Sequence, residues 1–355
     1  MEDRSKTTST LNVALLGYGF ASKTFHAPLL THVPGLRLTH IVSSDSAKVK
    51  KDYNVTVLAK PEEAFALPEI ELIVLATPNI THFDLASKAL KAGKHVVIDK
   101  PFTNTVAEAT ELIILARKQR RLLSAFQSRR WDADFLTLRK VLADGSLGEV
   151  AHFESHYDRY RPEPRQRWRE LPGPGSGIWF DLGAHLADQA LQLFGPPEAI
   201  YADLEMQRPL GQAVDYFHVI LRYGRNRVIL HGASLVAAET PRFTVHGALG
   251  SYTKFGMDPQ EEAFKRGEIP GGPGWGQDPQ PGTLVTKKGE GFETRQVPNV
   301  PGNYLAYYEG IRDAISHGAP NPVTAEQALE VINVLETGVK SSAARAEVPF
   351  IPIKL

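Results

Sequence analysis

The sequence predicts an α/β protein: a doubly wound parallel sheet, then an α+β domain built on a large open mixed or antiparallel sheet. Three observations predict it. From Leu11 to about Phe126, short apolar runs alternate with helical patterns. Those runs lack strict apolar–polar alternation, which marks strands buried on both faces. After about Ser128, the segments VAHFESHYDRY, AIYADLEM, DYFHVILRY and RVILHGASL do alternate, the pattern of an antiparallel sheet with one covered face.

Taken in order, strands are expected at LNVALLG, LRLTHIVSS, IELIVLAT, KHVVID and RLLSAF. Helical patterns lie between them, for example Phe83 to Ala92, closed by Gly93, and Thr105 to Gln119. Right-handed crossovers then place ligands at the carboxyl ends of the strands. A helix from about Phe180 to Phe194 interrupts the second sheet, and Gly195-Pro196-Pro197 stops it. Gly267 to Gly302, rich in glycine and proline, is expected as a long surface excursion holding one hairpin, TLVTKKGEGFETRQV. A last helix, Ala325 to about Arg345, precedes a terminal strand, VPFIPI, and is expected to pack back on the first domain. The organisation is a disordered tail over 1–10, a dinucleotide-type domain over 11–127 and a substrate and oligomerisation domain over 128–355.

Composition narrows the function. A chain of 355 residues suits two domains. Its 40 basic residues balance 40 acidic ones, so it lacks the electrostatic footprint of a nucleic-acid binder. There are no cysteines, which excludes disulfides, thiolate nucleophiles and cysteine-held zinc. No metal centre is expected. The opening MEDRSKTTST holds no apolar signal core, and no apolar run reaches the length of a membrane span. A soluble cytoplasmic protein is the expectation.

Gly17-Tyr18-Gly19-Phe20-Ala21-Ser22 follows a strand and opens a helix, where a dinucleotide fingerprint belongs. The first glycine permits the tight turn and the second lets backbone amides approach a pyrophosphate. Ser22 stands where a third glycine is usual. At the tip of the second strand Ser43 and Ser44 replace the acid that holds an NAD ribose, and Lys48 follows on the next turn. Hydroxyls and an ammonium suit a 2′-phosphate, which favours NADP; a slip of one or two residues returns Asp45 to the ribose and NAD with it. Thr77, Pro78, Asn79 and His82 end the IELIVLAT strand, where nicotinamide or its ribose lies. Asn79 or Thr81 serves equally as a helix cap.

The run Asp99-Lys100-Pro101 ends the KHVVID strand. Proline biases the residue before it away from the helical region, so the Lys100 ammonium is aimed. About eighty residues on, Asp181 and His185 lie four apart in a helical pattern and leave one face together. A positioned ammonium, a carboxylate and an imidazole are what reversible hydride transfer at a C–OH/C=O carbon needs. The alternatives are a capping role for Asp181 and a core role for His185. Asp188 either orients the imidazole or sits on the helix surface. In Gln127-Ser128-Arg129-Arg130-Trp131 the expectation is a hinge brace at Arg129 and a cofactor contact at Arg130. His156 to Arg161, with Arg165, Arg167, Trp168 and Arg169, reads two ways. One is a salt-bridged solvent loop. The other is a polyol pocket in which Asp158, Arg159 and Arg161 bond hydroxyls and Trp168 covers a ring face.

The segments GYGFASKTFHAP, TPNITH, HVVIDKPFT, RRWD and GSGIWFDLGAHLADQALQLFG together resemble the Gfo/Idh/MocA oxidoreductases. YDRYRP and RWRE add likeness to the scyllo-inositol dehydrogenase (NADP)-like subgroup. The resemblance implies a Rossmann domain, a C-terminal sheet used for homo-oligomerisation as a dimer or tetramer, and a nicotinamide held between the two. By motif, Lys100, Asp181 and His185 match the family's catalytic trio. Gly17 and Gly19 match its phosphate loop, and Thr77, Asn79 and His82 its ribose and nicotinamide loop. Asp99 replaces the usual glutamate, and Ser128 a frequent asparagine. The implied activity is NADP-dependent oxidation or reduction of a cyclitol or sugar carbon, for instance scyllo-inosose to scyllo-inositol. The rivals are a dehydrogenase of another, anionic sugar and a cofactor-binding sensor without turnover.

Overall fold

In the computed structural model, which describes residues 10–355, the chain alternates strand and helix through its first third. β1 (Leu11–Leu16) leads through a helical turn to α1 (Ala27–His32) and β2 (Leu36–Val42); α2 (Ser46–Asp52), β3 (Thr56–Leu58), α3 (Pro61–Ala66) and β4 (Leu72–Leu75) follow. Then come α4 (His82–Lys91), β5 (His95–Asp99), α5 (Val106–Gln119) and β6 (Leu123–Phe126). All six strands are parallel, in the order β3-β2-β1-β4-β5-β6. Every residue of β4 and β6, and all but the first of β5, is buried, as a sheet covered by helices on both faces requires. The tail expected over 1–10 lies, apart from Thr10, outside the described residues.

β1 is flanked by β2 and β4, so the connections leave it in opposite directions. The loops after β1 and β4 therefore part at the sheet's carboxyl edge and open the crevice that such folds use for ligands. The edge strand β3 was not expected from the sequence. Three half-exposed residues carry too little pattern to read.

After α6 (Ala133–Ala143) the second sheet begins with β7 (Val150–His156). α7 (Ala184–Phe194) precedes β8 (Ala199–Glu205), β9 (Tyr216–Tyr223), β10 (Asn226–Ala233), β11 (Phe243–Gly247) and β12 (Gly250–Lys254). α8 (Gln260–Lys265), β13 (Gly282–Lys288), β14 (Gly291–Val297), α9 (Leu305–His317), α10 (Ala325–Ala344) and β15 (Val348–Pro349) complete the chain. The nine strands run β14-β13-β12-β11-β7-β10-β9-β8-β15. Only β7 and β10 pair in parallel, so the sheet is mixed. Alternate residues face opposite sides. Phe153, Phe217, Val219, Leu221, Val228, Leu230, Phe243 and Val245 are buried on one side. The other side carries His152, Glu154, His156, His218 and His231, partly exposed.

Two expectations change here. The Gly/Pro-rich stretch is not all excursion: its hairpin, β13–β14, extends the sheet through β12 and buries Leu284 and Val297. The terminal strand shrinks to Val348–Pro349, paired with β8, since prolines lack the N–H a ladder needs. α10 packs on α5 and β6 of the first sheet as well as on α7 and β8 of the second, tying the two halves together. No helix among the described residues is long and apolar enough to cross a membrane.

Candidate active site

The loop after β1 turns at Gly17, whose φ is +90°. A Cβ there would lie 2.8 Å from the Ala76 carbonyl oxygen, just past β4, so only glycine lets the two segments run this close before their loops part. Gly19 has open space where its Cβ would stand, leaving room for a phosphate against the following helical turn. Ser22 is buried and its hydroxyl donates to the Gly17 carbonyl at 2.8 Å. The third-glycine position thus carries a clip that closes the loop on itself. Phe20 is exposed beside it and Ala21 enters the helical turn.

A cavity of about 370 Å³ opens beside this loop, lined by Gly17, Tyr18, Ser43, Ser44, Lys48 and Thr77 among others. No carboxylate sits at the β2 tip, where Ser43 stands. Asp45 also lines the cavity but caps α2, accepting from the Lys48 backbone N–H at 2.9 Å. Ser43 Oγ accepts from the Asp45 N–H at 3.1 Å. The glycine turn, the open phosphate position and this cavity fit a dinucleotide.

Past β4, Thr77 and Thr81 share a 2.7 Å hydroxyl contact, and Pro78 begins the turn that leads into α4. Buried Asn79 donates to the Gly175 carbonyl at 3.0 Å, reaching the opposite domain. A Cβ on Gly175 (φ +68°) would strike both Asn79 and Asn104 at 2.2 Å, so this glycine lets the domains close over the crevice. His82 is a correction. It is buried, and its ring nitrogens lie 3.0 Å from the Pro101 and Thr77 carbonyls. It ties the β4 and β5 loops together, its two ring nitrogens facing those carbonyls. Burial lowers its pKa against the pull of Asp99.

Lys100 directly follows β5, joined to Pro101 by a cis peptide bond. Its Nζ donates to the Asp181 carbonyl at 2.7 Å and to Asp181 Oδ1 at 2.8 Å. An ammonium has three donors, and no third acceptor is within bonding distance among the described residues. Asp181 does not stand on the regular α-helix expected for it; His185 does, in the first turn of α7. Trp179–Gly183 forms a π-helical turn that runs into α7, a distortion common at functional sites. Gly183 permits it, because a Cβ would collide with the Trp179 ring at 2.2 Å. Burial alone would raise the Asp181 carboxyl, but Lys100 and Arg169 hold it well below the usual carboxylate range. His185 is buried with Nδ1 unpartnered. Burial first, then the charges of Lys100 and Arg129, keeps the imidazole neutral far below its ordinary range. Lys100 and Asp181 are thus in direct contact, and His185 lies near enough for the charges of both to act on it.

The basic cluster divides. Arg169 pairs with Asp181 at 3.3 Å and lies 4.3 Å over the Trp168 ring, so Trp168 supports the site through Arg169. Arg159 is largely buried, drawn toward Asp181, and its Nε has no partner. Arg161 follows on the same side, and its pKa is lowered by burial and then by Arg165 and Arg167. Asp158 is a second correction. It faces the other side of the sheet, bonded to His156, Thr240 and the Ala233 N–H, because adjacent residues of an extended chain point opposite ways.

Arg130 is a third correction. It bonds both oxygens of Asp188 at 2.9 and 2.6 Å, then Gln327 at 2.8 Å and the Pro322 carbonyl. Buried, with four hydrogen bonds in place, it braces α7 to the start of α10. Asp188 is accordingly neither a surface carboxylate nor an orienter of His185. Arg129 is likewise a brace, to Glu261, Asp132 and Tyr157.

His26, Tyr308 and Asn104, near the site, escaped the sequence reading. His26 lies 3.9 Å from Asp99 and meets the Tyr308 hydroxyl at 2.6 Å. With His26, Lys100 and His82 around it, Asp99 stays ionised although burial opposes it. Asn104 donates toward the Asn79 carbonyl at 3.4 Å. Only His26, inside GYGFASKTFHAP, lay in a segment already singled out.

A dinucleotide crevice facing an ammonium, carboxylate and imidazole defines an NAD(P)-type oxidoreductase. The chain belongs to the Gfo/Idh/MocA oxidoreductase family: models for its NAD-binding Rossmann fold and its C-terminal alpha/beta domain match residues 11–127 and 139–350. It is 54% identical over 340 residues to the uncharacterized oxidoreductase YdgJ of Escherichia coli, covering 96% of this chain and 98% of that one. It is 40% identical over 340 residues to the scyllo-inositol 2-dehydrogenase (NADP(+)) IolW of Bacillus subtilis, with 95% of each covered. The solved structure of YPO2259 from Yersinia pestis superposes with a TM-score of 0.94 at 52% identity, covering 98% of this chain and 99% of that one.

Proposed function

We propose that the protein is an NADP-dependent dehydrogenase/reductase of a secondary alcohol or ketone on a cyclitol or sugar, scyllo-inosose and scyllo-inositol being the leading pair. The observation that carries the reading is the Lys100 ammonium: two donors on Asp181 and one left for a substrate oxygen, beside a neutral His185. The 40% identity to IolW supports the cyclitol class and NADP. Ser43, Ser44 and Lys48, with no acid at the β2 tip, support a 2′-phosphate.

Gly17, Gly19, Ser43, Lys48, Thr77 and Asn79 would hold the dinucleotide, which when bound supplies or accepts the hydride. Lys100 holds the substrate oxygen and stabilises the charge it develops. Asp181 fixes Lys100 from two sides. In the alcohol-oxidising direction neutral His185 takes the hydroxyl proton, and in the reverse direction the imidazolium returns it. Asp99 and His82 keep the β4 and β5 loops in register beneath. The open face of the second sheet is the surface this reading assigns to a second copy.

An anionic sugar is the second reading. It is favoured by Arg159, Arg161 and Arg165, whose side chains have no ion pair among the described residues. The test is NADPH against NADH binding by fluorescence, followed by turnover on scyllo-inosose, neutral keto-sugars and phosphorylated or carboxylated sugars. Turnover of scyllo-inosose with NADPH upholds the first reading. Turnover confined to anionic sugars replaces it with the second.

A further inference from the structure

On the outer face of the second sheet, away from Lys100, β7 and β10 bring together three ligand-type side chains. Atoms of His156, Asp158 and His231 all lie within 4.8 Å of one another. We infer that these three residues form a binding site for a divalent zinc-type cation.

The geometry comes from the register. His156 and His231 are directly paired across the parallel β7–β10 ladder, so their rings leave the same face, with centroids 5.0 Å apart. Asp158, two residues past His156, stays on that face. Its two oxygens lie 3.1 Å from His156 Nδ1 and 3.4 Å from His231 Nε2. Donors about 2.0–2.1 Å from a tetrahedral zinc stand about 3.3 Å apart, near each of these separations, so Asp158 need turn only enough to offer one oxygen to both rings. Two imidazoles and one carboxylate leave a fourth position for water. Two nitrogen donors select against calcium and magnesium, which take oxygen.

The surroundings also fit. A ligating histidine usually gives its other N–H to a carboxylate, and His156 Nε2 lies 3.1 Å from Glu154 Oε2. Glu154 is held in turn by His152 at 2.8 Å. Asp158 is oriented by the Ala233 N–H at 3.1 Å and the Thr240 hydroxyl at 2.9 Å. Both nitrogens of His156 face carboxylate oxygens, Asp158 on the Nδ1 side and Glu154 on the Nε2 side. His218 and Tyr216 complete the surround, their rings 5.6 and 5.4 Å from His231. Asp158 precedes Arg159, whose side chain leaves for the catalytic side. A metal here would pin the start of the substrate-facing segment to β10.

The test uses tag-free, full-length protein stripped with a chelator, then titrated with Co²⁺ by visible absorption and with Zn²⁺ by calorimetry. The expected result is one equivalent bound with low-symmetry, tetrahedral-type cobalt bands. His231→Gln and His156→Gln should abolish that stoichiometric site while circular dichroism and NADPH binding stay intact. Thr240→Val, which frees the carboxylate, should weaken it about tenfold or more. His246→Gln, on the same face but outside the trio, should leave it unchanged. Failure of the wild type to take up one equivalent, or uptake that survives in folded His231→Gln, overturns the site.

Discussion

Replacing Lys100 with methionine tests the mechanism at its centre. The substitution keeps the unbranched stem to within one atom and removes an ammonium that the structure shows making two contacts to Asp181, at 2.7 and 2.8 Å. The donor left for substrate goes too. Loss of one preorganised donor to a developing oxyanion lowers kcat by about 10²–10³, or about 2.7–4 kcal/mol. Breaking a buried ion pair from one side costs about 3–5 kcal/mol of stability when the remaining charge is abandoned. Asp181 keeps Arg169 at 3.3 Å, so the loss should fall below that range. A second effect separates catalysis from folding. Lys100 is the leading charge that depresses the His185 pKa. Without it the protonation limb of the oxidation rate must move to higher pH. The assay is steady-state kcat and KM across pH, with cofactor affinity by fluorescence and the thermal midpoint as a folding control. A variant with kcat within about tenfold of wild type, or an unmoved pH limb, refutes the reasoning.

Three further outcomes are expected. Arg130→Met should lose about 3–5 kcal/mol of stability, because Asp188 is left buried without its partner, while cofactor KM stays put; denaturant melts and kinetics together check it. Lys48→Glu should cost NADPH about 10–100-fold in affinity relative to NADH, the worth of one charge-assisted bond to phosphate, read by fluorescence titration. His95 accepts a hydrogen bond from the Leu122 N–H at 2.9 Å, and its pKa is pushed down to about 4, by burial first and then by Arg121. The unfolded chain takes up that proton near pH 6.5 and the folded chain does not. Stability should therefore fall by about 2–3 kcal/mol as pH drops from 6.5 toward 4. Urea midpoints across that window should show a slope that His95→Asn flattens.

The sequence alone determined five of the six parallel strands of the first domain and pointed to the chief candidate site residues. Unbroken apolar runs fix a two-sided sheet because buried strands have no polar face to offer, and Gly17 or Pro101 act on the backbone at their own positions. The trio was readable because ammonium, carboxylate and imidazole are uncommon in apolar segments, so their chemistry stands out without knowledge of contacts. Tertiary structure decided what each polar side chain spends its bonds on. Arg130 and His82 looked like ligand contacts. They became braces because Asp188, Gln327 and two loop carbonyls, distant in sequence, arrive at their donors. The face taken by Asp158 depended on where β7 pairs with β10, and the π-turn under Asp181 on the volume of Trp179 against Gly183. Local pattern sets which way a backbone runs. Pairing between remote groups is settled only when folding brings them within bonding distance.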